Sequence, residues 1–301
     1  MADNHRPIRH LQTVILFAVI LFSISSSSLL VVLSGATAVA CAFWRVSLAS
    51  LILGLTKLLR HGVTGVHLDK RLLMYSLVSG ILLAVHFLLW MESLFLIPIA
   101  VSTTVVVTYP LFSLLIDHFI FKESIGTFQA LGLTTGFIGV LLFLHPQILT
   151  GYEYHGVLLA FGGALGATGY FSIGRYVRRK IDVLNYTIFT YASASISLLA
   201  YTLLRNEDIW TYPPQTYIFF LLLAVLPMIG GHTLINYLLR YMKTSVATSI
   251  ALGEPIGASL LAHIFLQQQI DGPQALIMTL ILSSIALTIS REIKKDAPET
   301  P

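Results

Sequence analysis

The segment YPLFSLLIDHFIFKESIGTFQAL, residues 109–131, returns as EPIGASLLAHIFLQQQIDGPQAL, residues 254–276. The two align without a gap at an offset of 145 residues. Pro110 falls on Pro255, Leu115 on Leu260, His118 on His263 and Ile125 on Ile270. Gln129-Ala130-Leu131 falls on Gln274-Ala275-Leu276, and upstream Thr103 falls on Thr248. Self-similarity at a fixed offset marks a duplicated structural unit. Each copy is a long apolar run with a proline inside it, which reads as a membrane-spanning helix with a break.

The rest of the chain agrees. Of 301 residues, 56% are hydrophobic and 11% charged, where a soluble domain carries roughly 25% charged residues. Mean hydropathy is +0.82. Too little polar surface is available to cover so much apolar chain in water, which excludes a soluble fold and disorder alike. The single cysteine, Cys41, excludes a disulfide scaffold. A net charge of +4 would suggest nucleic-acid binding in a soluble protein. Here the basic residues lie between apolar runs, so they read as membrane orientation, and no nucleic-acid partner is expected.

A bilayer core of about 30 Å needs roughly 20 apolar residues per helix. Ten stretches qualify: 11–33, 37–59, 72–96, 99–120, 126–144, 155–175, 184–204, 217–239, 244–266 and 272–290. Their continuity excludes the alternating strands of an outer-membrane barrel. The expectation is an all-α integral membrane protein of ten transmembrane helices. The repeat divides it into residues 1–150 and 151–301, five helices each. Five is odd, so the second half enters the membrane upside down relative to the first. Lys122 closes span four, while its counterpart Gln267 closes span nine and is neutral. With the N-terminus cytoplasmic, sixteen of the eighteen Lys and Arg fall on the cytoplasmic side. Arg205 alone falls outside, and Arg45 lies within a span. Both termini are thus expected in the cytoplasm of a multi-pass plasma (inner) membrane protein. Arg6 and Arg9 before span one, with Ala36-Thr37-Ala38 after it, imitate a secretory signal. The apolar run is too long for one, and retention is expected. Inverted repeats recur in secondary transporters, with the solute near the midplane at the repeat interface.

Three segments carry a resemblance: FWRVSLASLILG (43–54), YPLFSLLIDHFIFKESI (109–125) and GEPIGASLLAHIFLQQQI (253–270). They resemble the drug/metabolite transporter superfamily, and its EamA-type transporters in particular, over nearly the whole chain. That pattern has a mid-span proline in spans four and nine, then an acid at the far end. Glu123 keeps the acid in the first half; Gln268 replaces it in the second. The Trp-Gly-Ser signature of span one is replaced by Phe22-Ser23-Ile24-Ser25-Ser26-Ser27-Ser28, so cargo identity does not transfer. The resemblance implies a ten-helix carrier with a central cavity, moving small metabolites such as amino acids or related solutes, often outward.

Ionisable groups inside a membrane each need a reason, since one at a helix centre costs roughly 2.5–3.5 kcal/mol on insertion scales. Glu254 falls near mid-span nine, beside Pro255, where a kink frees a carbonyl. It reads either as a site for a cation, an amine or a proton, or as a structural acid bonded to neighbouring hydroxyls. Tyr109 holds the equivalent place beside Pro110. His86 and Trp90, four apart, share one face of span three, either as cavity lining or as core histidine and belt tryptophan. His232 and Asn236 share a face of span eight behind Pro227, Gly230 and Gly231, and Tyr170 lies on glycine-rich span six. Arg45 and Glu92 are both placed toward the outer side and are read as a structural or gating pair. Asp117 and His118 are placed at the cytoplasmic end of span four, facing water. Gly132/Gly136 and Gly162/Gly166 suit close helix packing, within one chain or across a homodimer.

The expected function is secondary transport of a small organic solute by alternating access. Glu254 is the candidate for proton or cation coupling, and membrane lipid is the surround. No catalytic residue, metal or cofactor is expected, as P-loop, HExxH and GxSxG motifs are missing. The alternative is an integral-membrane enzyme acting on a lipid-linked substrate, with Asp117-His118 as its acid–base pair. A channel is a third class, but the TVGYG-like stretch TTVVVTY lacks the glycine of a selectivity filter.

Overall fold

Backbone polar groups cannot be left unpaired in hydrocarbon, so an apolar chain of this length resolves into helices. In the computed structural model, which describes residues 10–61, 69–143, 151–270 and 272–296, all regular structure among the described residues is helical. The basic residues Arg6 and Arg9 and the junction at residue 150 lie outside the described residues.

The first half runs α1 (His10–Ser25), α2 (Ser27–Leu33), α3 (Ala38–His61), α4 (Lys70–Ser93), α5 (Ile99–Val106), α6 (Tyr109–Phe119) and α7 (Thr127–Phe143). The second runs α8 (Gly151–Arg178), α9 (Val183–Arg205), α10 (Pro214–Leu223), a π-helical stretch Ala224–Thr233, α11 (Leu234–Leu238), α12 (Thr244–Thr248), a 3-10 stretch Ser249–Gly253, α13 (Glu254–Leu266) and α14 (Gly272–Asp296). Eight of these runs are long and apolar enough to cross a membrane: Ile15–Leu33, Ala38–Arg60, Lys70–Ser93, Ile99–Phe119, Glu153–Arg178, Val183–Arg205, Pro214–Leu238 and Thr244–Leu266. The expected spans five and ten fall on α7 and α14. The described part of α7, 17 residues, reaches about 25 Å at 1.5 Å per residue. α14 is 25 residues long, with Ala275–Ser284 as its apolar stretch among the described residues.

Spans four and nine break where the repeat places their prolines. Span four passes from α5 to α6 through Val107–Thr108, with Pro110 in the first turn of α6. Span nine passes from α12 through the 3-10 stretch to α13, with Pro255 in its first turn. A first-turn proline needs no hydrogen-bond partner and prevents the preceding helix from continuing. α5 packs on α13 and α6 on α12, so the two broken spans lie antiparallel. Exchanging the halves preserves the packing: α4 meets α8 as α1 meets the π-helical stretch, while α3 meets its counterpart α9 and α7 meets α14.

The repeat extends to backbone detail. Lys122 and Gln267, 145 residues apart, both take a positive φ, 60° and 56°. His118 Nδ1 meets the Glu123 carbonyl at 2.6 Å, and His263 Nδ1 meets the Gln268 carbonyl at 3.2 Å. Each histidine holds the chain as it leaves a broken span.

Glycines set the closest approaches. A Cβ at Gly166 would lie 2.9 Å from His86 N and 3.0 Å from Leu82 O, so α8 and α4 touch backbone to backbone. Gly136 faces Leu111 and Ser284 of the same chain. Tightest is Gly80, where a Cβ would sit 2.3 Å from Thr190 O and 2.6 Å from Ser193 Cβ. Gly80→Ala forces α4 and α9 apart and is expected to destabilise by about 1–3 kcal/mol. Thermal melting of the purified protein should show the drop, whereas Gly54→Ala, which meets nothing within 4 Å, should melt near the wild type.

Candidate functional site

The broken spans deliver two equivalent side chains to one place. Tyr109 opens α6 and Glu254 opens α13, and both line a cavity with Ile24, Ser27, Arg45, His86, Trp90, Val106, His232 and Ile235. Glu254 sits at a helix N-terminus, where unpaired N–H groups favour negative charge. The cavity draws from α1–α2, α3, α4, α5–α6, the π-helical stretch with α11, and α13, so both halves contribute. Its free space is about 20 Å³, close to one water. The side chains have closed upon one another.

His86 is fixed by the close approach of α8. Its Nδ1 meets the Gly163 carbonyl at 2.9 Å. A carbonyl only accepts, so in the neutral ring Nδ1 donates and Nε2 keeps its lone pair. The His86 and Trp90 rings stack at 5.9 Å and 3°. His232 lies 5.9 Å from His86, 5.1 Å from Phe87 and 5.6 Å from Phe171, centroid to centroid. Pro227 lies within the π-helical stretch and lacks the N–H of a regular ladder. The wider turn shifts the register, and His232 faces inward.

Of the seven side chains singled out in the sequence, His86, Trp90, Tyr109, His232 and Glu254 line the cavity. Tyr170 and Asn236 lie behind His232: Asn236 Nδ2 donates to the Tyr170 hydroxyl and, at 2.7 Å, to the His232 carbonyl. Arg45 departs from its expected place. It turns into the cavity, donates from Nη1 to Ser27 Oγ at 2.9 Å and stacks 4.1 Å over the Phe87 ring. No ion pair joins Arg45 to Glu92 among the described residues; Glu92 lies half-buried near the end of α4.

Asp117 is a second correction. It does not face water: it is 1% exposed and bonds Arg175 at 2.6 Å. Its other oxygen accepts from Ser245 N at 3.2 Å and Ser245 Oγ at 3.0 Å. Arg175 also bonds Glu123 at 2.6 Å, and Glu123 meets Lys243 at 3.1 Å. This ionic latch ties the end of α6 to α8 and to the start of α12, joining the two halves. His118 is occupied in holding the Glu123 carbonyl. The acid–base pair of the enzyme reading is therefore built into the scaffold. The latch escaped the sequence reading because its members lie far apart in the chain. The repeat offered a signal: Asp117, Glu123, Arg175 and Lys243 are all charged, where the positions 145 residues away hold Ala262, Gln268, Leu30 and Pro98. At that opposite end one neutral bond takes the latch's place, Ile99 N to Gln268 Oε1 at 3.1 Å.

The sequence matches the EamA-like transporter family twice, over residues 12–145 and 155–290. A solved structure described only as "Crystal structure of protein" shares the fold at a TM-score of 0.67 and 17% identity, covering 93% of this chain and 98% of that one. None of the curated proteins compared matches the chain.

Burial pushes the Glu123 carboxyl up, but the bonded Arg175 guanidinium and the Lys243 ammonium outweigh it and hold the group below the usual carboxylate range. A depressed carboxyl adds stability above its unfolded pKa and loses it as pH falls through the folded one. Glu123→Gln is expected to lower the melting temperature at neutral pH, and the gap should close as pH falls through the carboxylate range. A gap that stays constant with pH would mean that Glu123 acts by packing alone.

Proposed function

Since this chain belongs to the EamA-like transporter family, we propose that it moves a small organic solute across the plasma membrane by alternating access around the cavity between its halves. α7 and α14 complete a set of ten spans in this reading, arranged as two inverted five-helix repeats, 1–150 and 151–301. The observation that carries it is the meeting of both broken spans, Tyr109 from one and Glu254 from the other, at a single closed cavity. A carrier needs such a site between two closures that open in turn. The ionic latch at Asp117–Arg175–Glu123 and the neutral contact at Ile99–Gln268 supply candidates for the two closures. Helices cut at mid-membrane supply hinges for rocking.

Topology is tested at the repeat-related pair Lys122 and Gln267. Native Cys41 is buried and leaves a quiet background for thiol labelling. In intact cells an impermeant maleimide is expected to reach Gln267→Cys, and to reach Lys122→Cys only after permeabilisation. Labelling of both from the same face would overturn the inverted arrangement.

Glu254 is the coupling residue of this reading. It is buried, faces the cavity and makes no hydrogen bond to a described residue. The other titratable groups around the cavity are Arg45, His86, Tyr109 and His232. Protonation of Glu254 in step with solute exchange would couple flux to the proton gradient. Transport in proteoliposomes is expected to depend on pH in the wild type and to lose that dependence in Glu254→Gln. An unchanged pH profile would remove Glu254 from coupling and leave the carrier without its proposed ion site.

A further inference from the structure

We propose that the cavity grips its solute by a carboxylate, with Arg45 as the receptor, an inference that rests on the carrier reading above. Arg45 is 1% exposed. Its known contacts are neutral: the Ser27 hydroxyl at 2.9 Å and the Phe87 ring at 4.1 Å. Its Nε has no partner. Glu254 faces the same cavity and lies within Coulombic reach, yet no ion pair joins the two among the described residues. A buried guanidinium without a bonded counter-ion is a poor end state in itself. It becomes a good one when a flat, two-oxygen anion meets its fork of N–H groups.

The other unmet groups point the same way. Trp90 Nε1 and His232 Nδ1 are buried, line the cavity and have no partner. An indole N–H can only donate, and a histidine nitrogen donates in one tautomer. Arg45 Nε and Trp90 Nε1 can only donate, which calls for an acceptor-rich group on the part of the guest that meets them, while the unbonded Glu254 carboxylate across the cavity is left to accept from another part of it. A carboxylate fits better than a phosphate ester. One arginine and no lysine line the cavity among the described residues, and Glu254 opposes any second negative charge. The parallel His86 and Trp90 rings offer a flat wall to the apolar body that carries the acid.

Matched acids and amides give the test, because each pair differs in the carboxylate alone. Full-length protein in nanodiscs is melted with 3-phenylpropionate or 3-phenylpropionamide, indole-3-acetate or indole-3-acetamide, and L-leucine or L-leucinamide. A ligand that binds the folded state raises the melting temperature by mass action. At least one acid is expected to stabilise the wild type, with its amide needing tenfold or more concentration for the same shift. Arg45→Gln should erase that preference, and Arg45→Lys should keep part of it. The proposal fails if no acid stabilises, if amides match acids, or if the preference survives in Arg45→Gln. The wild-type comparison stands even where Arg45→Gln does not fold. Counterflow of the same compounds in proteoliposomes separates the two claims. An acid that binds but never moves counts against the carrier and for the receptor. A solute that moves although no acid binds does the opposite.

Discussion

A helix that breaks inside hydrocarbon frees backbone groups that lipid cannot satisfy, so the break must be hidden in protein. Spans four and nine break in this way, ahead of Pro110 and Pro255, and each hides its break against the other. α5 lies on α13, α6 lies on α12, and the remaining helices wrap the pair. Interrupted helices therefore run through the centre of the molecule. It is also where polar side chains can sit without meeting lipid. Tyr109 and Glu254 reach the cavity because they are the first residues after a break. Continuous helices at the same positions would have pointed these side chains elsewhere on their circumference.

Helix packing then narrows the space. Gly163 and Gly166 let α8 reach the backbone of α4, and that contact fixes His86 through the Gly163 carbonyl. The π-helical stretch around Pro227 turns His232 toward the same point. Backbone features that look like local weaknesses (glycine, proline, an over-wide turn) are what aim the aromatic and imidazole rings.

Much of this could be read in the sequence. Apolar run lengths locate the helices to within a few residues, since hydropathy over about twenty residues is a strong signal in lipid. The repeat at 145 residues pairs Lys122 with Gln267, which prove to share a positive φ, and the mid-run prolines mark where the helices part. The reading ran out where partners come from distant parts of the chain. Arg45 was assigned to Glu92 by depth alone, because sequence gives height along a span far better than rotation about it. Phe87 and Ser27, which hold Arg45 instead, are unremarkable in composition. The position of Asp117 at the cytoplasmic end of span four suggests water, yet its partner Arg175 lies 58 residues away in the chain.

Tyr109 and Glu254 occupy matching stations in a near-twofold scaffold, yet one offers a phenol and the other an acid. A guest in the cavity therefore meets unlike walls on its two sides. Turning it end over end exchanges those walls and produces a different complex, so binding selects one orientation. Duplication supplied the frame, and the divergence of a few inward residues gave it a sense of direction.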